Sequence, residues 1–165
     1  MAPVARDEQA LREFSERMSA ALTAAGFPRM PARALMALTI SESDGLTAAD
    51  LAEQLAVSAG AISGAVRYLQ TLGMVRRVSQ PGTRRDIYEL PQHNPWYTAS
   101  MRTSTMYDAF LALAPTGIAA AGGAESLVGS RLVDLSDFLT FVKRRLPELL
   151  DEWTELRRAE AGGDG

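Results

Sequence analysis

The residues of this chain that could do chemistry lie between Ser58 and Asp86, and the chemistry that they suit is contact with a nucleic-acid duplex. This strip holds five arginines and one acidic residue, a net charge of +4, whereas the whole chain has a net charge of −3. The positive surface is therefore local and not a result of the overall composition. Such a local basic surface is typical of a nucleic-acid contact.

The first half of the strip would place small, hydroxyl-bearing and charged side chains on the outward face of one helix. Small side chains allow a helix to enter the major groove, and hydroxyls and arginine can reach phosphates or base edges. We predict a recognition helix over residues 59–72, with Ser63 also able to bond back to its own helix. The predicted contact residues on this helix and its cap are Ser58, Ala59, Ser63, Gly64 and Arg67.

The second half would carry arginines at the tip of a hairpin. Thr83, Arg84 and Arg85 lie in a Pro-Gly turn, and a guanidinium there suits the phosphate backbone or a narrow minor groove. We predict that residues 80–86 form this wing. The alternative is that Arg84 and Arg85 are only solvated charges of a loop. Arg76 and Arg77 are adjacent on a strand, and we interpret them as structural.

The local pattern around these residues is helix, turn, helix, strand, basic turn, strand. Thr47 and Asp50 form an acidic variant of a capping box, and Ser58 caps the second helix. Ile62, Val66 and Leu69 form the inward stripe of that helix, and Gly73 ends it. A helix-turn-helix pattern arises by chance in Ala/Leu-rich chains, but the following hairpin, with strands over 74–79 and 86–90, is a second, independent signal.

Residues 26–90 resemble the winged-helix domain of MarR-type transcriptional regulators, and within that group the GbsR-like branch. The resemblance implies a homodimer that binds an inverted repeat in double-stranded DNA, with Arg84 on the wing. The wing departs from the usual Asp-x-Arg and Leu-Thr pattern, since Asp86 follows the arginines and Pro91 follows Leu90. The resemblance is carried by Leu51–Leu55, Val57–Ser58, Ile62–Ser63, Leu69, Leu72–Val75 and Gly82–Tyr88, with Gly26–Arg33 upstream.

The flanking segments predict helices that join two copies of the chain. Apolar residues repeat at helical spacing over residues 7–25, and further helices are predicted over 31–40 and 96–114, with a hinge at 115–123. The last helix has a seven-residue apolar repeat, which Pro147 should kink or restart. The alternative is pairing with helix 7–25 inside one chain. The repeat consists of Val128, Leu132, Leu135, Leu139, Val142, Leu146, Leu149, Trp153 and Leu156.

The predicted fold is mostly α with a small β-wing: a winged helix-turn-helix with N- and C-terminal dimerisation helices. The domains would be a dimerisation helix at 1–25, the DNA-binding domain at 26–90, dimerisation helices at 91–158 and a flexible tail at 159–165. With no apolar run near eighteen residues and no signal peptide, we expect a cytoplasmic protein without a membrane span.

A candidate effector region lies just after the wing. MarR-like proteins often sense small apolar molecules between the winged helix and the dimerisation helices, so the resemblance makes Trp96, Tyr97, Met101 and Tyr107 candidate effector residues. The alternative, which we favour, is that these side chains are ordinary core.

The composition argues against an enzyme, a cofactor or a metal site. The chain has one histidine, His93, and no cysteine, which leaves no recognisable catalytic triad and no transition-metal ligand set. The helix-turn-helix with its basic wing, together with what the resemblance implies, predicts a transcriptional regulator, a repressor rather than an activator. Two alternatives stay open: a winged helix that binds another protein, and a small-molecule-binding dimer whose wing is only structural.

Overall fold

The structure, a computed structural model, describes residues 6–79, 85–91 and 94–162, without the side chains of residues 101, 102, 104, 105, 161 and 162. Its helices are α1 (Glu8–Ala24), α2 (Arg29–Ile40), α3 (Ala48–Leu55), α4 (Ala59–Thr71), α5 (Pro95–Ala120) and α6 (Leu127–Gly162). Its strands are β1 (Leu46–Thr47), β2 (Arg76–Ser79) and β3 (Asp86–Glu89). The predicted mostly α fold with a small β-wing is confirmed.

The core of the winged helix is built on α2. Nearly every residue of α2 from Pro31 to Leu38 is buried, because α1, α3 and α4 all pack against it. The predicted inward stripe of α4 is confirmed, since Ile62, Val66 and Leu69 are fully buried or nearly so. Burial of these apolar side chains is the main force that holds the recognition helix in place.

The three strands form one antiparallel sheet in the order β1–β3–β2. Val78 lies opposite Ile87 in the wing, and Leu46 lies opposite Tyr88 on the other side of β3. The sequence did not predict β1, because a strand of two residues is too short to show an alternation of apolar and polar side chains. Gly45, just before it, passes so close to β3 that a Cβ would collide with the Ile87 side chain and lie 2.8 Å from the Tyr88 carbonyl oxygen.

Helix α1 begins and ends within one residue of the predicted 7–25, but its buried residues are not those of the predicted apolar stripe. Ser15 and Ser19 are buried, whereas Phe14 and Met18 of the predicted apolar stripe are 46% and 38% exposed. The small serines allow close packing, and the Ser19 hydroxyl is satisfied by donating to the Ser15 carbonyl at 2.7 Å. Phe14 and Met18 are thus left exposed, whereas Leu11 and Leu22 are half-buried.

The C-terminal helices are longer than the sequence predicts. Helix α5 continues through Pro115 to Ala120, so the predicted hinge at 115–123 is reduced to a short turn in which Gly122 and Gly123 have positive φ. A proline removes one backbone donor, and a helix with intact neighbouring turns can tolerate that loss. Helix α6 likewise runs through Pro147 without a restart, and it includes residues 159–162 of the predicted loose tail.

The chain divides into two compact units, one ending at Thr98 and the other beginning at Ala99. The first unit holds α1 together with the winged helix, and the second holds most of α5 and all of α6. In the second unit Lys143 forms an ion pair with Asp108, which joins the two helices as an antiparallel pair. Among the described residues, no helix is both long enough and apolar enough to cross a membrane.

Candidate nucleic-acid interface

The first helix of the helix-turn-helix starts at the predicted capping box. The Asp50 backbone N–H donates to the Thr47 hydroxyl oxygen at 3.1 Å, and the Asp50 carboxylate accepts from the Thr47 backbone N–H at 2.9 Å. The Thr47 hydroxyl also donates to the Asp50 carboxylate, at 2.7 Å. This bond is the main cause that holds the pKa of the Asp50 carboxyl below its ordinary value, and the bond from the Thr47 backbone N–H adds to it. The box satisfies two backbone donors that helix geometry leaves free.

A tight turn then leads into the recognition helix. Ala56 adopts the left-handed conformation with φ +52°, and Val57 donates to the Ala52 carbonyl at 3.0 Å. Ser58 caps α4 by accepting from the Ala61 backbone N–H at 3.2 Å. Gly73, with φ +72°, follows the last turn of α4, as predicted. Ser58 thus has a structural role in addition to its predicted contact with DNA.

The outward face of α4 is exposed and carries little side-chain bulk. Ala59, Ser63, Gly64 and Arg67 all lie on it, and a Cβ added at Gly64 would meet no atom within 4 Å. In the described part of the chain, neither the Ser63 hydroxyl nor the Arg67 guanidinium has a hydrogen-bond or ion-pair partner. Both groups are therefore available to an external partner, and Ser63 is not bonded back to its own helix.

The two arginines of β2 have partners on β3. Arg76 pairs with Glu89 at 2.5 Å, and Arg77 pairs with Asp86 at 2.5 Å. Because the two arginines point to opposite faces of the sheet, each pair neutralises one face. The Arg77 guanidinium is the main cause that holds the pKa of the Asp86 carboxyl below its ordinary value. The base of the wing is thus less positive than the residue count suggests.

The predicted wing contacts are only partly within the described structure. Thr83 and Arg84 lie outside the described residues, and so do most of the turn and His93. Arg85 is exposed and directly precedes β3, and its charge contributes to lowering the pKa of Asp50. The guanidinium of Arg85 therefore belongs to the same side of the molecule as the start of α3.

A cavity of about 270 Å³ lies in the first unit beside the start of α5. Of the predicted effector residues, Trp96 lines this cavity, whereas Tyr97 and Tyr107 do not. The side chain of Met101 is not among those that the structure describes. Sequence reasoning missed the rest of the lining because it comes from separate elements. The lining residues are Met18, Leu22, Leu35, Met36, Thr39, Leu90, Asn94, Pro95 and Trp96.

An aromatic contact joins this region to the recognition helix. The ring of Phe27 meets the ring of Tyr68 edge-on, with centroids 5.6 Å apart, and lies 6.2 Å from the Trp96 ring. Tyr68 belongs to the C-terminal half of α4. Phe27 therefore packs between the recognition helix and the start of α5.

Among the described residues, no group of His, Asp or Glu side chains could hold a metal ion.

Two family models match the chain, one on each side of the wing. Residues 25–86 match the model of the MarR family, and residues 94–158 match that of the MmpR5-like MarR family transcriptional regulators. The chain is 25% identical over 148 residues to the HTH-type transcriptional regulator MmpR5 of Mycobacterium tuberculosis, covering 90% of this chain and 89% of that protein.

A solved structure supports the same relationship. The crystal structure of a transcriptional regulator superposes with a TM-score of 0.80 at 25% identity, covering 88% of this chain and 99% of that chain. Assignment to the GbsR-like branch remains a prediction from the sequence. Regulators of the MarR family are not enzymes, which agrees with the sequence interpretation. The chain is thus similar to MarR-family transcriptional regulators in both of these parts, the first of which contains the helix-turn-helix and the second the C-terminal helices.

Proposed function

We propose that the chain acts as a homodimer that binds an inverted repeat in double-stranded DNA, with α4 in the major groove and the wing on the backbone or in the minor groove. The observation that carries the proposal is the outward face of α4, where Gly64 leaves the backbone open and the Ser63 hydroxyl and Arg67 guanidinium have no partner among the described residues. A helix without bulky side chains can lie deep in the groove, where base edges are within reach.

The proposed dimer gives this surface its sequence specificity. Two recognition helices held about 34–36 Å apart would meet successive major grooves on one side of the duplex. The apolar repeat of α6 supports a dimer, since Leu149, Trp153 and Leu156 are about half exposed or more in the single chain. Exposed apolar stripes of this length are typical of protein–protein contacts. Repression and a cytoplasmic location remain predictions from the sequence.

The experiment that tests the proposal is selection of random DNA fragments by the purified protein at near-physiological salt, followed by sequencing. We expect enrichment of an inverted repeat whose half-sites are about one helical turn apart. Retention that is independent of sequence and disappears as salt is raised would contradict the proposal, because general electrostatics alone produces that behaviour. A winged helix that binds another protein would then be the better hypothesis.

We also propose that the cavity beside Trp96 binds a small apolar effector. Its lining is mostly apolar, and the Thr39 hydroxyl is already used by the Leu35 carbonyl, which leaves few polar groups to recognise a polar ligand. We expect 2-phenylethanol, as a first probe, to raise the unfolding midpoint of the wild-type protein. Leu22→Trp, which fills the cavity, should abolish the rise, whereas the same rise in both proteins would place the binding elsewhere.

A further inference from the structure

One arginine of α2 is more buried than an ordinary surface ion pair. The side chain of Arg33 is 19% exposed, and its Nη2 donates both to Oε1 of Glu16 at 3.1 Å and to the backbone carbonyl of Leu55 at 3.3 Å. Its Nε is buried without a hydrogen-bond partner in the described structure. A guanidinium that loses water in this way depends strongly on the few contacts that it keeps.

The carbonyl that Arg33 contacts ends the first helix of the helix-turn-helix. The last carbonyls of a helix have no donor within the helix, and a positive charge near them is favourable. Helix α3 has no basic residue in its own last turn, so α2 provides the cation. Leu55 is followed directly by the left-handed Ala56, and the Ser58 cap of α4 comes two residues later. Arg33 therefore contacts the turn that sets the direction of the recognition helix.

The second acceptor lies on a different element. Glu16 belongs to α1, which precedes the winged helix, and its side chain is 62% exposed. The backbone of Arg33 lies in α2, and one nitrogen of its guanidinium thus contacts both α1 and the end of α3. Exposed pairs contribute little to stability by themselves, but here one partner is mostly buried and is also bonded to the turn.

We infer that Arg33 is a positioning residue for DNA recognition, which, anchored by Glu16, fixes the Ala56–Val57 turn and hence the orientation of α4 relative to α1. The inference rests on the proposed function, since orientation matters only if α4 enters a groove. It assigns no contact with DNA to Arg33. Loss of either partner should loosen the turn while the buried apolar core holds the fold.

The first test needs no DNA and measures amide hydrogen exchange at Val57, whose N–H donates to the Ala52 carbonyl at 3.0 Å. We expect Arg33→Gln and Glu16→Gln to speed this exchange about fivefold, as the loss of one ordinary hydrogen bond would. The matched controls are Arg29→Gln, which lies one turn earlier on α2, and Glu13→Gln, which lies on α1 and accepts from Gln9. Unchanged exchange at Val57 in both test variants would overturn the inference.

The second test measures affinity for the selected repeat as a function of salt. A positioning role predicts an affinity about tenfold lower with an unchanged salt slope, whereas loss of a phosphate contact would reduce the slope by about 0.9. A reduced slope, or unchanged affinity in the folded variants, would overturn the inference. If Arg33→Gln does not fold, the exposed Glu16→Gln still decides the result. If the wild type binds no specific sequence, the proposed function fails, and the exchange data alone decide whether Arg33 holds the turn.

Discussion

Gly64 shows how a single residue can separate the needs of folding from those of binding. A Cβ at this position meets no atom within 4 Å in the free protein, and alanine is favoured over glycine in a helix by about 1 kcal/mol. Gly64→Ala should therefore raise the free energy of unfolding and weaken DNA binding, because the added methyl group occupies space that a groove wall would fill. Chemical denaturation and a binding titration measure the two effects. Tighter binding, or no change, would mean that the duplex does not approach α4 at Gly64.

Arg67 is the only charged residue of α4, and its guanidinium has no partner among the described residues. If it reads a base, Arg67→Ala should weaken binding to the selected repeat by about 1–3 kcal/mol and reduce the preference for that repeat over scrambled DNA. Competition titrations with both DNAs give the preference. Equal weakening on every sequence, together with a smaller salt slope, would indicate a phosphate contact instead.

At the scale of elements, the capping box makes α3 sensitive to pH. The pKa of the Asp50 carboxyl is lowered in the folded protein, so its contribution is present above the unfolded pKa of about 3.9 and is lost as the pH falls through the lower folded value. Asp50→Asn should therefore be less stable than the wild type at pH 5–7, and the difference should shrink below about pH 4. Urea unfolding across this range measures it. A difference that stays constant down to pH 2 would show that the charge of Asp50 does not contribute.

The wing allows a comparison between an arginine that forms an ion pair, Arg77, and one that is predicted to contact DNA, Arg84. Arg77 is neutralised by Asp86 in the free protein, and Arg84 is predicted from the sequence to contact phosphate. Arg84→Ala should reduce the salt slope of DNA binding by about 0.9, whereas Arg77→Ala should change it much less. Salt titrations of the two variants side by side measure this. The reverse order would assign the phosphate contact to β2 rather than to the tip of the wing.

Elements with a long apolar period could be predicted from the sequence, and those without one could not. Helix α4 was predicted closely because Ser58 begins it, Gly73 ends it and Ile62, Val66 and Leu69 share one face. Pro115 does not end α5 as the sequence predicts, since the loss of one backbone donor is offset by the turns on either side. Strand β1 has no local signal at all, because it exists only through pairing with β3.

The candidate site shows the same division between local and distant information. The outward face of α4 follows from helical spacing and was found from the sequence. The role of Arg33 was not, because its partners Glu16 and Leu55 lie 17 and 22 residues away. Pairing of Arg76 and Arg77 with β3 likewise depends on strand register, which charge counting ignores. Arg6 likewise makes a contact between residues that are distant in the sequence, since its guanidinium donates to the Ile40 carbonyl at the end of α2.

At the scale of the whole molecule, the proposed function depends on joining two chains. Leu149 belongs to the apolar repeat of α6 and is 62% exposed, so a second copy of the chain is the partner that we expect to cover it. Leu149→Asp would place a charge in that contact without opening a cavity in either unit. It should convert the dimer to a monomer in analytical ultracentrifugation. Asp151→Asn, an exposed position on the opposite face of α6 from the repeat, is the matched control.

The same variant tests why a dimer is needed to read DNA. A dimer binds both halves of an inverted repeat at once, so its affinity for the full repeat exceeds that for one half-site through effective concentration. The monomeric Leu149→Asp protein should keep the half-site affinity, because α4 and the wing lie in the other unit. It should lose most of the advantage of the full repeat, which titrations on both DNAs measure. A monomer that still prefers the full repeat as strongly as the wild type would contradict this. It would show that the two half-sites are not bound by two copies of the chain joined through α6.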